Sequence, residues 1–505
     1  PSAPLSLSDA TVADVAEVLD GLPTATEGPA GAAAAGVRGW VRQFEVTWTP
    51  FETIPSEPSA ARMDVTLPND ASPAHVAQLL TRIAAQQPAR LLVVHSGHPA
   101  ASGIGRSVAA ELPECRVTVI ETPRGNVSNP AIDYPAIDHP DRYAELRTRP
   151  DGSLERAVVR ARRTTGPGDL ELKLDGVCLV TGGVRGITAY AAAELAQRMA
   201  CKLVFVGRSP AEDPEIVRAL HDLEPARYLT CDITDQAAVQ AMVATAREHG
   251  PIRGIIHGAG VNEPRTLGDV TAESFQRTHA PKVDGLRNLL AALGDAGDDL
   301  RLLLGFGSII GRQGLAGQAE YCIANDWLRA DIEAWARTHP HCRTHLLEWS
   351  VWSGIGMGLR LGVLDNLRRM GVEPIGPRHG VDALLEVLTD REAPVTVLVA
   401  SRFPATATLR VDGEDAPLLR FGERVRTRLP GVEVIIEADL TLGSDPYLDD
   451  HRIDGTPVLP AVVAMEAMAQ AAAHVRRPPS AESPWSFSHL DLRAPVTVGG
   501  PDQRT

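Results

Sequence analysis

The feature that most constrains the fold is a regular alternation of short apolar runs with longer helical stretches, from Gly176 to about residue 402. Parallel strands need long crossover connections, and helices usually supply them. The alternation therefore predicts a parallel sheet covered by helices on both faces, which is a doubly wound α/β fold. The apolar runs are 177–180, 203–206, 254–256, 302–304, 344–347 and 396–399.

The composition of the 505-residue chain narrows the function classes. At roughly 150 residues per domain, about three domains are expected. Asp and Glu (64) outnumber Lys and Arg (49), giving a net charge of −15, which argues against nucleic acid or an anionic membrane as a partner. No apolar run approaches the ~18 residues of a membrane span, and no signal peptide is recognisable. Because the chain begins at Pro1 without a methionine, we expect it to be part of a longer protein.

The cysteines bear on both metal binding and compartment. The six cysteines are scattered along the chain, and none forms a C-x-x-C pair. This spacing argues against a zinc centre and against a disulfide framework, so we expect no metal site. Free thiols also suit a reducing compartment, so we expect a cytoplasmic protein.

The organisation along the chain follows from changes in composition and pattern. An Ala-, Pro- and Gly-rich start is typical of a linker, and a weaker α/β pattern follows it. After the main alternation come a Pro- and Arg-bearing connector, an alternating strand pattern at 432–440 and a long apolar helix opened by Pro460. The predicted segments are a linker (1–36), a first α/β unit (37–165), the doubly wound unit (166–402), a connector (403–430) and a partial C-terminal unit (431–505).

Glycines cluster where the first strand of the doubly wound unit gives way to a helix. Such a turn lets a pyrophosphate approach backbone N–H groups at the helix N-terminus. The pattern therefore predicts a dinucleotide site on this turn. Its expected contact residues are Thr181, Gly182, Gly183, Arg185, Gly186 and Ile187.

Residues after the next strands refine the choice of dinucleotide. An acidic residue after the second strand would bind the 2′-hydroxyl of NAD, whereas Arg208 and Ser209 suit the 2′-phosphate of NADP. Asp232, with Ile233 beside it, follows a third strand that lies between the runs 203–206 and 254–256. It has two open roles: contact with the adenine amino group or an ordinary helix cap. The small residues after the fourth strand permit close approach of the cofactor. These are Gly258, Ala259 and Gly260.

A second group of residues has the types needed for carbonyl reduction. This chemistry needs a proton donor, a group that orients the carbonyl oxygen and a cation that lowers the donor's pKa. Ser308 ends the fifth strand, and Tyr321 and Asn325 follow it one helical turn apart. Lys282 is one of only three lysines in the chain, which otherwise uses arginine as its basic residue. Each residue alone is more often structural, but the ordered set indicates catalysis.

With these residues the stretch from about 176 to 402 resembles a short-chain dehydrogenase/reductase, and specifically the ketoreductase domain of polyketide synthases. Most members of the superfamily carry Y-x-x-x-K, whereas this chain has Tyr321-x-x-x-Asn325 and an earlier Lys282, as synthase ketoreductases do. The resemblance implies an SDR-type Rossmann fold and NADPH as the cofactor. It further implies that Tyr321 donates the proton, Ser308 orients the β-keto oxygen, Lys282 lowers the Tyr321 pKa and holds the ribose, and Asn325 completes the tetrad.

Further residues refine the resemblance to a subclass. Trp349-Ser350-Val351-Trp352 and Gly356-Met357 also fit synthase ketoreductases, and the glycine turn is most similar to type I iterative synthases of the enediyne and polyunsaturated-fatty-acid type. Thr188 stands where many relatives have a third glycine. The residues used to predict the hydroxyl configuration are replaced by Asn262-Glu263-Pro264 and Gln313, so the stereochemistry is left unassigned.

The same family accounts for residues 37–165. Synthase ketoreductases carry a preceding structural subdomain, a truncated Rossmann-like copy that binds no cofactor. Ser102-Gly103-Ile104-Gly105-Arg106 follows a strand and imitates a nucleotide loop, but no lysine precedes Lys173 to serve an active site. We therefore interpret it as a loop without a ligand.

The C-terminal residues resemble a second family. His451-x-x-x-Gly455-x-x-x-x-Pro460 is similar to the first half of a hot-dog dehydratase of polyketide or fatty-acid synthases. The resemblance implies an α+β hot-dog domain in which His451 is the base that removes the α-proton, a task suited to histidine. The family takes its catalytic acid from a second hot-dog half, which is not in this sequence, so we expect no dehydration by this segment alone.

Together these resemblances predict an NADPH-dependent β-ketoacyl reductase within a synthase. The expected partners are an acyl-carrier protein with a phosphopantetheine-linked β-ketoacyl chain and the other domains of the same synthase, with a homodimer as one expected assembly. Two alternatives stay open: a free-standing oxidoreductase acting on a small alcohol or ketone, and a non-catalytic scaffold region.

Overall fold

The structure is a computed structural model that describes most of the chain with interruptions. The predicted linker 1–36 lies outside the described residues. The described residues are 39–52, 54–55, 62–123, 137–138, 141–164, 166–223, 225–294, 299–356, 364–369, 371–404, 406–412, 420–475, 487 and 495–498.

A single 13-stranded sheet forms the centre of the molecule, in the order β11-β10-β9-β12-β13-β14-β15-β1-β8-β7-β5-β4-β3. Its strands are β1 (Arg42–Phe51), β3 (Arg62–Leu67), β4 (Arg90–His95), β5 (Arg116–Glu121), β7 (Tyr143–Thr148), β8 (Leu154–Ala161), β9 (Val177–Thr181), β10 (Lys202–Gly207), β11 (Arg227–Thr230), β12 (Ile252–His257), β13 (Leu302–Ser308), β14 (Arg343–Trp349) and β15 (Thr396–Ala400). Three two-stranded sheets use β2 (Ile54–Pro55) with β6 (Ile137–Asp138), β16 (Arg424–Leu429) with β17 (Glu433–Glu437), and β18 (Arg452–Ile453) with β19 (Thr456–Pro457).

Helices connect the parallel strands and cover the sheet. The strands β9, β12 and β13 are buried along most of their length, and in β9 all five residues are buried. Such strands belong to a sheet covered on both faces. The helices are α1 (Pro73–Gln86), α2 (Ala101–Glu111), α3 (Gly186–Met199), α4 (Pro214–His221), α5 (Gln236–Arg247), α6 (Ala272–Lys282), α7 (Asp284–Leu293), α8 (Ile310–Gln313), α9 (Ala319–Thr338), α10 (Leu364–Arg369), α11 (Pro377–Thr389) and α12 (Ala461–Val475).

The large sheet consists of two halves joined at one seam. The N-terminal half contains β1, β3–β5, β7 and β8, and the C-terminal half contains β9–β15. At the seam β1 pairs antiparallel with β15, and on its other side β1 pairs antiparallel with β8. The C-terminal half is parallel throughout, with β9 between β10 and β12. The predicted doubly wound fold is confirmed.

The two halves also share a hydrophobic core. Leu80 and Ile104 from the N-terminal half pack in one buried cluster with Phe275, Ile323 and Trp327 from the C-terminal half. Large buried side chains therefore lie on both sides of the boundary, and the two halves share this core.

The interpretation of Ser102–Arg106 as a loop is wrong. These residues form the first turns of α2, and all of them are buried. A Cβ at Gly103 would lie 2.9 Å from Asp326 Oδ2, and one at Gly105 would lie 2.4 Å from Val119 Cγ2. The glycines therefore serve close packing of a helix against α9 and β5.

The C-terminal residues form a smaller unit attached to the sheet. The predicted connector 403–430 is wrong in its last part, because β16 (Arg424–Leu429) lies there and pairs with β17. The guanidinium of Arg402, just after β15, makes two 2.6 Å hydrogen bonds to Glu433 on β17. The predicted apolar helix is confirmed as α12 (Ala461–Val475). No helix in the described ranges is long and apolar enough to cross a membrane.

Candidate active site

A cleft of about 1520 Å³ opens at the carboxyl ends of β9, β10 and β12. This is the switch point of a doubly wound sheet, where such folds bind their ligands. The turn between β9 and α3 forms one wall, and Gly182, Gly183 and Gly186 have φ angles of +104°, +87° and +82°. Only glycine adopts these angles at low cost. A Cβ at Gly183 would meet nothing within 4 Å, so the turn leaves open space beside its backbone.

The floor of the cleft depends on close backbone packing. A Cβ at Gly182 would lie 2.8 Å from the carbonyl oxygen of Gly258, and one at Gly258 would lie 2.1 Å from Thr188 Oγ1. Thr188 therefore fills the space that the missing side chain of Gly258 leaves free. The helix packs tightly on the sheet although Thr188 replaces a glycine.

The rim of the cleft carries charged and polar groups. Arg185, the residue before α3, forms an ion pair with Glu215 at the start of α4. Arg208 and Ser209 line the cleft after β10, and the Ser209 carbonyl accepts a 2.9 Å hydrogen bond from the Tyr228 hydroxyl. These contacts fix the loop that presents Arg208.

Asp232 lines the cleft but is not the cap of the following helix. Its Oδ1 accepts hydrogen bonds from Thr234 N (3.0 Å) and Thr234 Oγ1 (2.8 Å), which lower its pKa. Asp235 caps α5 instead, through the amides of Ala237 and Ala238. The helix-cap alternative for Asp232 is therefore wrong.

The predicted cofactor residues divide into two sets. Ten of them line the cleft: Gly182, Gly183, Arg185, Gly186, Arg208, Ser209, Asp232, Ile233, Ala259 and Gly260. The other five lie beneath or beyond its wall: Thr181, Ile187, Gly258, Lys282 and Tyr321. Ile187 packs near Gly356, where a Cβ would lie 3.2 Å from Ile187 Cγ2.

The structure brings four predicted catalytic residues together behind Gly260. Ser308 ends β13, Tyr321 and Asn325 lie in the first two turns of α9, and Lys282 ends α6. The Nζ of Lys282 lies 5.4 Å from the centroid of the Tyr321 ring. A Cβ at Gly260 would lie 3.2 Å from Lys282 Cε, so the glycine leaves room for the lysine next to the cleft.

The surroundings of Tyr321 act on its pKa in opposite directions. Burial raises the pKa, whereas Asn325 and Ser308 lower it by hydrogen bonding to the hydroxyl. The Asn325 Nδ2 donates a 2.7 Å bond to the Tyr321 carbonyl. Its Oδ1 is buried and has no hydrogen-bond partner among the described residues. That oxygen is free to accept a bond from a ligand or from water.

Lys282 is a buried cation without a counterion. Only 2 % of the residue is exposed, and Nζ donates a 3.3 Å hydrogen bond to the Phe306 carbonyl. Within the described part of the chain no carboxylate lies within ion-pair distance of Nζ. Burial lowers the pKa of Lys282 to about 8. With this pKa, Lys282 is mostly an ammonium ion at pH 7 and loses its proton at only slightly higher pH.

His257 belongs to the site although the sequence analysis did not assign it a role. This fully buried residue at the end of β12 accepts a 2.8 Å bond from the Thr181 hydroxyl at Nδ1 and donates a 2.8 Å bond from Nε2 to the Lys282 carbonyl. Burial lowers its pKa to about 4, so the ring is neutral. The imidazole thus ties the end of β9 to the backbone of Lys282. A histidine at the end of a core strand was the only local signal.

His451 is separate from these groups. It lies on the exposed surface between residues 446–448 and β18, and its Nδ1 donates a 2.8 Å bond to the Val458 carbonyl. This bond fixes the tautomer, so Nε2 is the unprotonated nitrogen of the neutral ring.

Comparison with protein families identifies both regions. Residues 176–354 match the family described as the KR domain. Residues 417–505 match the polyketide synthase dehydratase domain, and this match begins inside the predicted connector. The chain contains a polyketide-synthase ketoreductase domain. The start of a synthase dehydratase domain follows it, which supports the expected hot-dog segment.

Curated relatives of this ketoreductase region are polyketide synthases. The chain is 31% identical over 399 residues to polyketide synthase GfsA of Streptomyces halstedii, covering 76% of this chain and 5% of that protein. It is 30% identical over 277 residues to the pikromycin polyketide synthase component PikAII of Streptomyces venezuelae, covering 52% of this chain and 7% of the relative. The chain thus spans a small part of these relatives.

Solved ketoreductase structures share the fold. A ketoreductase from the first module of phoslactomycin biosynthesis in Streptomyces sp. HK803 superimposes with a TM-score of 0.61 at 22% identity, covering 72% of this chain and 93% of that chain. A ketoreductase domain from the bacillaene assembly line gives 0.58 at 22% identity, covering 72% and 98%. Ketoreductase domains of synthases are oxidoreductases that use a reduced nicotinamide cofactor. The iterative, enediyne-type subclass stays a prediction.

Proposed function

We propose that the ketoreductase domain reduces a β-ketoacyl thioester, carried on the phosphopantetheine arm of an acyl-carrier protein, to the β-hydroxyacyl thioester with NADPH. The observation that carries the proposal is the convergence of Ser308, Tyr321 and Asn325 with an unpaired, buried Lys282 beside the cleft. An unpaired buried cation is costly, and such groups concentrate at functional sites.

The cleft fits a dinucleotide. The turn contains three positive-φ glycines, and Gly183 leaves open backbone where a pyrophosphate would approach the N-terminus of α3. Arg208 and Ser209 stand where a 2′-phosphate would lie, which favours NADPH over NADH. Arg185, which lines the same cleft, forms an ion pair with Glu215.

The chemistry of the chain's own residues follows from their placement. NADPH supplies the hydride that adds to the β-carbonyl carbon. The Tyr321 hydroxyl gives its proton to the carbonyl oxygen while Ser308 donates a hydrogen bond to the same oxygen. The Lys282 ammonium, 5.4 Å from the Tyr321 ring, stabilises the phenolate that forms. The free Oδ1 of Asn325 accepts a hydrogen bond in this network, and His257 holds the Lys282 backbone in place.

For the dehydratase region we propose that His451 is the base that removes the α-proton of the β-hydroxyacyl product. Its Nε2 is free because Nδ1 is bound to the Val458 carbonyl. The acid that protonates the leaving hydroxyl must come from another part of the dehydratase. The remaining proposals are a cytoplasmic synthase as the host protein and a homodimer as its assembly.

The test is oxidation of NADPH in the presence of a β-ketoacyl N-acetylcysteamine thioester, with Tyr321→Phe as the variant and NADH as the control cofactor. We expect turnover that is specific for NADPH and falls by at least about 100-fold in the variant, because the proton donor is lost. Turnover of simple ketones but not of the thioester would favour a free-standing oxidoreductase. Absence of NADPH binding would favour a scaffold.

A further inference from the structure

The N-terminal half of the sheet contributes one charged side chain to the elements that carry the active site. Arg106 on α2 is 2% exposed, and its Nη1 donates to the Gly311 carbonyl (2.5 Å) and to Asp326 (3.1 and 3.2 Å). Its Nη2 donates a 2.5 Å bond to Glu145 on β7. One guanidinium thus connects the N-terminal half with two elements of the C-terminal half.

The two elements that Arg106 binds are those that position the catalytic groups. Gly311 lies in α8, which directly follows Ser308 at the end of β13. Asp326 is the neighbour of Asn325 on α9, one helical turn beyond Tyr321. The guanidinium therefore fixes the separation between the segment that carries Ser308 and the helix that carries Tyr321.

Packing around this guanidinium leaves little freedom. A Cβ at Gly311 would lie 2.8 Å from Asn325 Cβ. The helices α8 and α9 therefore pack closely here only because residue 311 is a glycine. A Cβ at Gly314 would lie 2.6 Å from the Arg106 carbonyl oxygen, so α2 presses on the end of α8 as well. A shift of α2 would therefore move both elements.

The shape of the arginine side chain is essential to this arrangement. A planar guanidinium donates in several fixed directions at once, whereas a lysine ammonium is a point charge on a flexible stem. Glu145 is held independently by Ser102 Oγ at 2.9 Å, and Asp326 by Arg329 at 3.0 Å. A lysine at position 106 would keep the charge balance but could not keep all three contacts in their present geometry.

We propose that Arg106 is a positioning residue for the reduction, which sets the geometry between Ser308 and Tyr321 from the N-terminal half of the sheet. The inference rests on the proposed ketoreductase function. Small displacements of reacting groups reduce rates strongly, and about 1 Å can cost on the order of 100-fold.

The test compares Arg106→Lys with Arg156→Lys. Arg156 is a matched control because it is buried in the same half, with bonds to Asp141 (2.5 Å) and to the Tyr143 carbonyl (2.9 Å). Among the described residues it forms no hydrogen bond or ion pair with α8 or α9. For each variant we would measure kcat, KM for the thioester, the Kd for NADPH and the urea midpoint of unfolding. Deuterated NADPH would report whether hydride transfer has become rate-limiting.

We expect similar losses of stability in the two variants but a kcat lower by about 10- to 100-fold only in Arg106→Lys, with an unchanged Kd for NADPH and a larger isotope effect. Equal kcat values at matched stability would overturn the proposal and leave Arg106 a purely structural tie. If Arg106→Lys does not fold, Asp326→Asn replaces it, since Arg106 then keeps Glu145 and Gly311. A kcat equal to that of the parent would again overturn the proposal.

A second readout separates this inference from the proposed function. If the parent chain shows no reductase activity, the proposed function fails, but amide hydrogen exchange over residues 309–326 still tests the positioning. Faster exchange there in Arg106→Lys than in Arg156→Lys would support the role of Arg106 in holding these segments. Equal exchange in the two variants would overturn it.

Discussion

The two halves of the large sheet place glycines after a strand in similar ways and use them differently. In the C-terminal half Gly182, Gly183 and Gly186 adopt positive φ angles, and the turn leaves open space at Gly183. In the N-terminal half Gly103 and Gly105 are helical, and neighbouring side chains fill the space beside them. Glycines after a strand therefore indicate that another group comes close to the backbone, and that group can be a ligand or another part of the protein.

The halves also differ in how they bury charge. In the N-terminal half the buried arginines are paired, Arg106 with Glu145 and Asp326, and Arg156 with Asp141. The C-terminal half also buries a paired arginine, Arg312 with Glu348, but its Lys282 is buried without a carboxylate among the described residues and has a lowered pKa. In a buried pair each charge offsets the desolvation cost of the other, whereas an unpaired buried charge is costly and is typical of a functional site.

Among substitutions that distinguish the two halves, we expect the largest change in stability for Gly105→Ala in the N-terminal half. The new Cβ would lie 2.4 Å from Val119 Cγ2 and 3.2 Å from Tyr143, so we expect a loss of about 2–3 kcal/mol in the free energy of unfolding. Urea denaturation measures this loss, and adding Val119→Ala should restore part of it by making room. NADPH affinity should not change, and a change would contradict the assignment of this glycine to packing.

The next effect has the opposite sign. Lys282→Met removes a buried charge whose pKa is about 8 in the fold against 10.5 in the unfolded chain, and it loses one hydrogen bond. We expect a gain of about 2 kcal/mol in the free energy of unfolding at pH 7, together with loss of reductase activity.

The pH dependence provides the check on Lys282→Met. Below pH 8 the burial of the Lys282 ammonium lowers the free energy of unfolding by its full amount. As the pH rises from 8 to 10.5 this loss decreases, because the buried lysine is then neutral in the folded chain. The stability difference between the variant and the parent should therefore shrink over that interval. A constant difference would contradict the burial of an uncompensated ammonium.

Gly183→Ala should have a smaller effect on stability than Gly105→Ala. Its Cβ meets no atom within 4 Å, so the cost is that of a positive φ, about 1 kcal/mol. NADPH affinity should nevertheless fall by about tenfold or more, because the Cβ enters the space beside the turn. Retained affinity in a titration would show that no pyrophosphate approaches this turn.

The smallest expected effect is a change of rate with pH in the parent chain. Reduction should be nearly constant from pH 6 to about 7.5 and fall above the Lys282 pKa of about 8, because the neutral amine cannot stabilise a phenolate. Lys282→Arg keeps its charge throughout this range and serves as the control. If the control loses rate over the same interval, another group is responsible.

The sequence was sufficient where the signal was local. The apolar runs predicted six of the seven strands of the C-terminal half, all except β11 (Arg227–Thr230), and they included β13 with Ser308 at its end. Strands with charged residues gave no such signal. β8 (Leu154–Ala161) contains Glu155 and Arg156, which are buried in ion pairs with Arg147, Arg149 and Asp141. The contacts of Arg106 with Gly311 and Asp326 join residues more than 200 positions apart, and no local pattern can reveal them.

The seam between β1 and β15 has a consequence for the order in which the chain folds during synthesis. The ribosome completes β1 and its partner β8 long before it makes β15, so the N-terminal half can form first with one edge of β1 free. The residues that pair with this edge, 398–400 in β15, are synthesised only after the other strands of the C-terminal half. Until then a strand edge is open to wrong pairing, so we expect the nascent chain to need protection over this interval.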